Sequence, residues 1–385
     1  MRFVKWLVAA AAMANCQSPW AAETQLTADA AKNLEYNDNV RLTRGSKEHD
    51  WIQYLSANAA WTASRPDGSL YLGPAARFRR YTTDTVLNSD DYSLDAAAER
   101  DFERSALQLQ GNYSRSAIQS DEFNGIGIIQ VGATRRQWMA NPKWSIDLSP
   151  DTTGTISLSH TDVGYDGRAP SLVDYDTSSA SASVTREFSE DDSLGATASA
   201  SRLGAPAIRN RVDQAGLQFV YDRTLSESVE FSGTVGAQRN WYLQAFAPHR
   251  SDTGFVFGLT LKGEREYGNW ELDINRSVDP SGTGTVMRSD TATISRSVNW
   301  TPSLSSNFML LISNRKDLQG LNPGNDSRYG QGQASLGWEM RENWKLSIEY
   351  RIVGQRLRAL DATATGNAVL LWLSYHADIK PASQR

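Results

Sequence analysis

A His-x-Ser arrangement is the sharpest catalytic pattern in this sequence. His249 stands two residues before Ser251, and an imidazole beside a serine hydroxyl can activate it for nucleophilic attack. An outer-membrane lipid hydrolase is the class of enzyme that such a pair would fit. Pro248 before the pair and Asp252 after it are more typical of a polar loop. The sequence therefore predicts no catalytic residue and no enzyme, and the hydrolase is kept as an alternative.

Histidines and acidic clusters are the remaining candidates for ligand chemistry. The four histidines are scattered without metal-ligand spacing, and the one cysteine, Cys16, stands alone. Acidic clusters could bind Ca²⁺, but none has the residue order of an EF-hand, and charge runs at strand ends are usually solvated. The sequence therefore predicts no metal site and no cofactor. The clusters are Asp90-Asp91, Asp121-Glu122 and Glu190-Asp191-Asp192.

The elements that carry these residues show an alternation of apolar and polar side chains with a period of two. The clearest case is WKLSIEYRI at residues 344–352. Successive side chains of a β-strand point to opposite faces, so each such segment has one apolar and one polar face. Repetition of this pattern through a long exported chain predicts an all-β fold, a single antiparallel transmembrane β-barrel with lipid outside and a wet lumen inside.

The start of the chain has the composition of a secretory leader. Arg2 and Lys5 precede a short apolar run that is too short to span a membrane. We expect residues 1–22 to be a cleaved signal peptide and residues 23–385 to be the barrel, located in the outer membrane of a Gram-negative bacterium. The net charge of −5 and the lack of a basic cluster with interleaved aromatics exclude a nucleic-acid partner.

Compact polar turns recur at intervals of mostly about 35 to 40 residues along the chain. Such a unit fits two strands, one tight periplasmic turn and one longer outer loop. Counting these units predicts about 18 strands, or 16 if the weakly apolar stretches 33–43 and 91–98 do not span. A β-propeller is the alternative for this period, but it should show four short strands per repeat.

Aromatic residues predict the two edges of the lipid-facing band, because indole and phenol rings favour the lipid–water interface. One belt is expected near the periplasmic turns and a second at the opposite strand ends. Arg296 does not fit, since it shares the phase of Ile294 and Val298; either a bulge shifts the register or the residue lies near the interface. The expected belts are Trp144, Trp270, Trp300, Trp338 and Trp344, and then Tyr165, Tyr175, Trp241, Tyr242 and Tyr329.

The polar phase of the strands predicts the lumen. Its residues carry both signs of charge among many small polar side chains, which suits a hydrated path for polar or saccharide material. The alternative is that these groups only solvate and pair inside a closed barrel. The connection at about 118–129 is the longest, and we expect it to constrict the pore or to remain a surface loop. Expected lining residues are Arg77, Arg79, Lys262, Arg276, Glu349 and Arg351, and the constriction is assigned to Asp121, Glu122 and Phe123.

Four short motifs resemble those of a family of outer-membrane β-barrel porins. They are LEYNDNV at 34–40, VDYD at 173–176, DPSG at 279–282 and GNAV at 366–369. Members of this family are often associated with exopolysaccharide biosynthesis and export in Gram-negative bacteria. The resemblance implies a role in polysaccharide export or a porin-like role, and it implies no catalytic residue.

These observations favour an outer-membrane channel for an extracellular polysaccharide or other polar solutes. A structural or adhesive barrel without conductance is the second hypothesis. The expected partners are outer-membrane lipid, including lipopolysaccharide, and the barrel-assembly machinery. An export role would add a polysaccharide and a periplasmic export component.

Overall fold

The computed structural model describes residues 23–43, 45, 47–118, 133–167, 172–244, 249–319, 326–357 and 362–379. Within these ranges the chain forms one sheet of 18 antiparallel strands and two 3₁₀ turns, Thr85–Leu87 and Pro206–Ile208. No helix in the described ranges has the length and apolarity needed to cross a membrane. The predicted all-β barrel architecture is confirmed.

The strands follow one another in chain order around the barrel. They are β1 (Glu23–Asn37), β2 (Asp50–Arg65), β3 (Gly68–Tyr81), β4 (Ser89–Phe102), β5 (Ser105–Ala117), β6 (Ala133–Ser149), β7 (Thr152–Gly167), β8 (Tyr175–Glu187), β9 (Asp192–Ala205), β10 (Asn210–Ser226), β11 (Val229–Gln244), β12 (Arg250–Arg265), β13 (Gly268–Pro280), β14 (Val286–Thr301), β15 (Leu304–Asp317), β16 (Ser327–Arg341), β17 (Trp344–Leu357) and β18 (Ala362–Ile379).

The first and last strands close the sheet into a ring. β1 pairs with β2 on one side and with β18 on the other, from Leu26 opposite Ile379 to Asn37 opposite Ala368. A closed ring has no strand edge with unpaired backbone N–H and C=O groups. Strands that cross a bilayer require this closure, because lipid offers those groups no partner.

The two ends of the barrel differ in their connections. One end, called the turn end here, has tight connections of two to four residues at 66–67, 103–104, 150–151, 188–191, 227–228, 266–267, 302–303 and 342–343. The other, called the loop end, carries connections such as 38–49, 281–285 and 318–326. This asymmetry is the one expected from the spacing of the polar turns.

Both doubtful strands of the sequence prediction cross the barrel. The stretch 91–98 lies within β4, and β1 begins at Glu23 and ends at Asn37 instead of spanning 33–43. The 16-strand alternative is therefore wrong. Residues 23–32 contain one large aliphatic side chain, Leu26, so their strand depends on the ladders to β2 and β18 more than on local composition.

The ladder register gives the sheet an apolar outer face and a polar inner face, since directly paired residues point to the same side. Leu34, Leu55 and Ile348 are 40%, 54% and 51% exposed on the outer face. The same face carries Phe231, Phe257, Leu259, Leu336, Leu346 and Ile348. Ser347 and Thr260 have the opposite, inward phase.

Arg296 also lies on the outer face. The ladder from Val286 to Asn299 has no register shift, and Arg296 is directly opposite Trp270 on β13 and Phe308 on β15. A bulge therefore does not explain its phase. Arg296 lies five residues before Thr301, the last residue of β14 at the turn end. This position near the end of the strand agrees with the second explanation given above, that the residue lies near the lipid–water interface.

Of the two predicted aromatic belts, the one at the turn end is found and the one at the loop end is mostly not. All five tryptophans at the turn end are outward; four are exposed, Trp300 the most at 62%, and Trp270 is half-buried. At the loop end, Tyr165, Tyr175, Tyr242 and Tyr329 have the inward phase, and the predicted belt position is wrong for all four. Trp241 is outward, with other aromatics that the prediction did not select: Tyr36, Trp51, Tyr92, Tyr113 and Trp138.

The inward tyrosines belong to an apolar core inside the loop end. Tyr175 and Tyr242 pack with buried Val163, Leu203 and Val212. A wide barrel does not fill its own lumen with side chains, so these residues need partners from elsewhere. Val286, the first residue of β14 after the connection 281–285, packs into the same cluster.

Candidate functional site

A buried carboxylate marks the most elaborate polar cluster of the lumen. Glu35 on β1 is 1% exposed. Its Oε1 accepts hydrogen bonds from Arg351 Nη2 and Asn37 Nδ2, both at 2.9 Å. Its Oε2 accepts the hydroxyl of Tyr54 at 2.7 Å. A buried charge is tolerated only when it is paired and hydrogen-bonded in this way.

Arginine and aromatic rings extend the cluster along the wall. The Tyr54 ring stacks on Trp372 with centroids 6.5 Å apart and an interplanar angle of 23°. The guanidinium carbon of Arg79 lies 5.3 Å from the centroid of the Tyr54 ring, within cation–π range. The strands β1, β2, β3, β17 and β18 thus bring one carboxylate, two guanidinium groups and two aromatic rings to one patch of the lumen.

A cavity of about 310 Å³ opens over this patch. Arg77, Arg79 and Arg351 line it together with Glu35 and Trp372. Its volume is at the lower end of small-molecule pockets, and a mainly apolar wall with few polar groups is the usual composition of such pockets. This wall carries more charge than usual, which suits a polar or ionic solute.

Asn33 adds an unpaired amide to the same wall. The residue is 1% exposed and lies directly opposite Trp372 in the ladder. Neither its Oδ1 nor its Nδ2 has a hydrogen-bond partner among the described residues. Buried amides are normally hydrogen-bonded, so this one is an available donor and acceptor at the edge of the cavity.

The loop after β1 covers the cavity from the loop end. Asp38 Oδ1 accepts the backbone N–H of Asn367 at 2.7 Å, and Oδ2 accepts the side-chain amide of Asn367 at 2.9 Å. Burial raises the pKa of Asp38, but the hydrogen bonds from Asn367 and the nearby Lys47 outweigh burial and hold the pKa below its ordinary value. The carboxylate therefore anchors this loop across the β1–β18 seam.

A second loop folds inward from the opposite wall. Residues 281–285, between β13 and β14, are all buried. The carbonyl of Gly282 accepts the N–H of Val173, and that of Gly284 accepts Asn210 Nδ2 at 2.8 Å. These contacts hold the loop against the connection before β8 and the first residue of β10, on the inner side of the wall. We call it the inward loop.

Small residues explain why the inward loop can pack there. Gly284 has φ +70°, and a Cβ at this position would lie 2.8 Å from the Cβ of Ala205. The run SGTGT at 281–285 was not selected as a constriction in the sequence prediction, although its lack of bulky side chains was a visible signal. The predicted constriction, Asp121, Glu122 and Phe123, lies outside the described residues.

Five of the six predicted lining residues have the inward phase. Arg77, Arg79 and Arg351 meet at the cavity, and Glu349 precedes Arg351 by two residues on the same face. Lys262 lies apart near the turn end, between Glu230 and Glu271 on the flanking strands. The part of these five predicted lining residues in permeation stays a prediction.

Arg276 is the exception, and its predicted lumen position is wrong. It is directly opposite Phe257, and its guanidinium carbon lies 5.4 Å from the centroid of that ring. It also pairs with Asp290 on β14. The residue is therefore outward, at the loop end of a strand that extends past its apolar stretch.

The His249–Ser251 pair has no geometry for catalysis. Both residues are exposed, and Ser251 is outward, opposite Trp241. No hydrogen bond joins the imidazole to the hydroxyl within the described residues. Among all residues that the structure describes, no group of three or more His, Cys, Asp or Glu side chains could hold a metal ion.

The four sequence motifs meet in two pairs. Residues 34–40 lie beside 366–369, where Tyr36 is opposite Val369 and Asp38 binds Asn367. Residues 173–176 lie beside 279–282, joined by the N–H of Val173 and the carbonyl of Gly282. Both pairs fix a loop to a distant strand or connection at the loop end.

The overall architecture is similar to that of several solved barrels. OccK2 (OpdF) of Pseudomonas aeruginosa has a TM-score of 0.52 and 13% identity over 93% of this chain and 98% of that chain. The same protein in complex with glucuronate has a TM-score of 0.51 and 12% identity over 93% and 99%. OccAB2 of Acinetobacter baumannii has a TM-score of 0.50 and 9% identity over 93% and 98%.

At these identities the similarity shows the fold alone. No protein-family profile matches the chain, and no curated protein matches it. The chain therefore shares the closed barrel fold of these proteins.

Proposed function

We propose that this chain is a porin-like channel of a bacterial outer membrane that passes small polar solutes through its lumen. The observation that carries the proposal is the cavity walled by Glu35, Arg79, Arg351 and Trp372 inside a closed barrel with an apolar outer face. A barrel that only anchors or adheres has no need of a buried ionic cluster beside a cavity.

The cavity also favours one class of solute. Guanidinium groups bind carboxylates, the Asn33 amide offers a donor and an acceptor for hydroxyls, and an aromatic ring supplies an apolar surface. Together these groups suit a small acidic sugar. The structurally similar OccK2 was solved with glucuronate, which makes glucuronate the first solute to try.

The proposal also covers the leader and the absence of catalysis. Residues 1–22 act as a cleaved signal peptide, and residues 23–385 form a channel and not an enzyme. Passage of an extracellular polysaccharide is the second candidate, and the sequence motifs at 34–40 and 366–369 favour it. The two inward-facing loops and the small cavity favour single small solutes over a polymer chain.

Uptake into liposomes tests the proposal. Vesicles containing the purified full chain should swell in glucose and in glucuronate, and swelling should fall as the solute grows to an oligosaccharide. Arg79→Gln should reduce swelling in glucuronate more than in glucose, because only the carboxylate loses a partner. The outward Arg136→Gln is the matched control. No swelling beyond that of protein-free vesicles would refute the channel.

A further inference from the structure

An uncharged column of polar side chains lines the lumen between the loop end and the cavity. Tyr329, Gln331 and Gln333 follow one another on the inner face of β16, and Gln355 on β17 is directly opposite Tyr329. We call these four residues the amide track. Gln331 is one of the residues that line the cavity, and Gln333 is directly opposite Arg351. The track therefore leads from the loop end to a guanidinium group of the cavity.

Hydrogen bonds join the track from end to end. The hydroxyl of Tyr329 donates to Gln331 Oε1 at 2.7 Å, and Gln331 Nε2 donates to Gln333 Oε1 at 3.3 Å. The side chain of Gln333 is in turn hydrogen-bonded to Glu349. An ionised carboxylate can only accept, so Gln333 donates to it, and this sets the orientation of both amides and of the hydroxyl. The polar groups of the track are thus held in one arrangement.

The amides of the track keep hydrogen-bonding capacity for a solute. A glutamine side chain has two N–H donors and an oxygen with two lone pairs, and Gln331 uses one of each within the column. Gln355 is 6% exposed, and its Nε2 has no hydrogen-bond partner in the described part of the chain. A buried donor without a partner carries a desolvation cost, which a hydroxyl oxygen placed beside it would remove.

The neighbours of the track in the ladder are uncharged except for Arg351 at the cavity. Amides that both donate and accept match hydroxyl groups, which also do both. Apolar side chains beside them offer a surface for the C–H groups of a sugar ring. The directly paired residues are Ser313, Leu311 and Met309 on β15, and Gln355, Val353 and Arg351 on β17.

We propose that the amide track binds the hydroxyl groups of a neutral sugar on its way to the cavity. The lumen then holds a second solute site, which needs no carboxylate on the solute. An acidic sugar uses the track for its hydroxyls and the arginines of the cavity for its carboxylate. The role of the track rests on the channel function proposed above, since a solute must enter the lumen to reach it.

Binding of glucose to the purified full chain tests the track directly. Saturation-transfer NMR in an amine-oxide detergent, which has no sugar headgroup, gives the dissociation constant. Gln331→Leu with Gln333→Leu should raise this constant about fivefold or more, as expected for the loss of a hydrogen bond to the solute. Gln110→Leu is the matched control and should bind as the unaltered chain does, because Gln110 has the inward phase on β5 and lies outside the track.

Gln355→Leu separates loss of the site from loss of the fold. Its Nε2 has no hydrogen bond to lose, so the melting temperature should stay unchanged or rise, while glucose binding should weaken about fivefold. The proposal would be overturned if the unaltered chain did not bind glucose. Equal binding by Gln355→Leu, by Gln331→Leu with Gln333→Leu, and by the control would also overturn it.

Failure of the track and failure of the channel give different results. A chain that binds glucose through these residues but admits neither glucose nor glucuronate into vesicles would support the track and refute the channel. A chain that admits glucose into vesicles, with glucose binding unaffected by the track variants, would refute the track and support the channel.

Discussion

The carboxylate of Glu35 on β1 is bound by the guanidinium of Arg351 on β17 at 2.9 Å, across the intervening strand β18. The contact spans the seam where the ends of the chain meet to close the barrel. Glu35 is almost fully buried and Arg351 keeps 30% of its side chain exposed, so the arginine faces the cavity while it secures the seam. The same pair therefore spans the seam and lines the cavity.

Removal of one partner should destabilise the barrel strongly. Glu35→Gln leaves Arg351 without its carboxylate, and breaking a buried pair costs about 3–5 kcal/mol. Unfolding in denaturant, followed in lipid vesicles, should show this loss. Replacement of Asp166 in the exposed pair Arg136–Asp166 should cost about 0–1 kcal/mol. Equal losses at both pairs would show that burial of Glu35 is not what matters.

The two faces of β17 should respond differently to a charge. Ile348→Arg puts a cation into lipid and should cost about 2–4 kcal/mol, less if it lies near an interface. Ser347→Arg puts the same side chain into the polar lumen and should cost little. The free energy of unfolding in vesicles measures both. If the two variants lost stability equally, the assigned phase of the strand would be wrong.

Local alternation was enough to predict the strands that cross with a clear apolar face. Residues 344–352 are such a case, and Glu349 and Arg351 have the inward phase on this strand. The start of β1 was missed because residues 23–32 have a weakly apolar outer phase. Their strand is stabilised by ladders to β2 and β18, which no local window contains.

The errors at the loop end have two physical causes: the strands extend beyond the apolar band, and the lumen has an apolar interior at this end. Arg276 follows Trp270, Leu272 and Ile274 in the outward phase. It was assigned to the lumen because it is charged, although its phase is outward. Tyr242 and Tyr329 were assigned to the lipid interface because they are aromatic, although their phase is inward. An apolar interior exists there because distant loops fold into the lumen, which alternation cannot show.

Low pH should release the loop that covers the cavity. The lowered pKa of Asp38 means that its contribution is present above the ordinary value of 3.8 and is lost as the pH falls through the lower folded value. The protection factors of the backbone amides of residues 38–43, which correct for the pH dependence of intrinsic exchange, should therefore fall from pH 6 to pH 3 more in the unaltered chain than in Asp38→Asn. Identical pH profiles for the two chains would show that Asp38 does not anchor the loop.

Displacement of the inward loop should widen the channel. Gly284→Val adds a Cβ at φ +70°, where it would clash with Ala205, and strain of this kind costs about 1–3 kcal/mol. The loop should leave its packed position, and single-channel conductance should rise. Gly354→Val is the matched control, because nothing lies within 4 Å of a Cβ at that glycine. Unchanged conductance in Gly284→Val would place the constriction elsewhere.

Conduction through the lumen is the central claim, and charged thiol reagents test it most directly. Ser347→Cys has the inward phase and Ile348→Cys the outward phase on the same strand. Cys16, the only cysteine of the sequence, lies in the proposed leader, so each variant adds the only thiol of the mature chain. In planar bilayers, a methanethiosulfonate reagent should reduce the current of Ser347→Cys and leave that of Ile348→Cys unchanged. Absence of current in every chain, or equal block of both variants, would contradict a channel through this lumen.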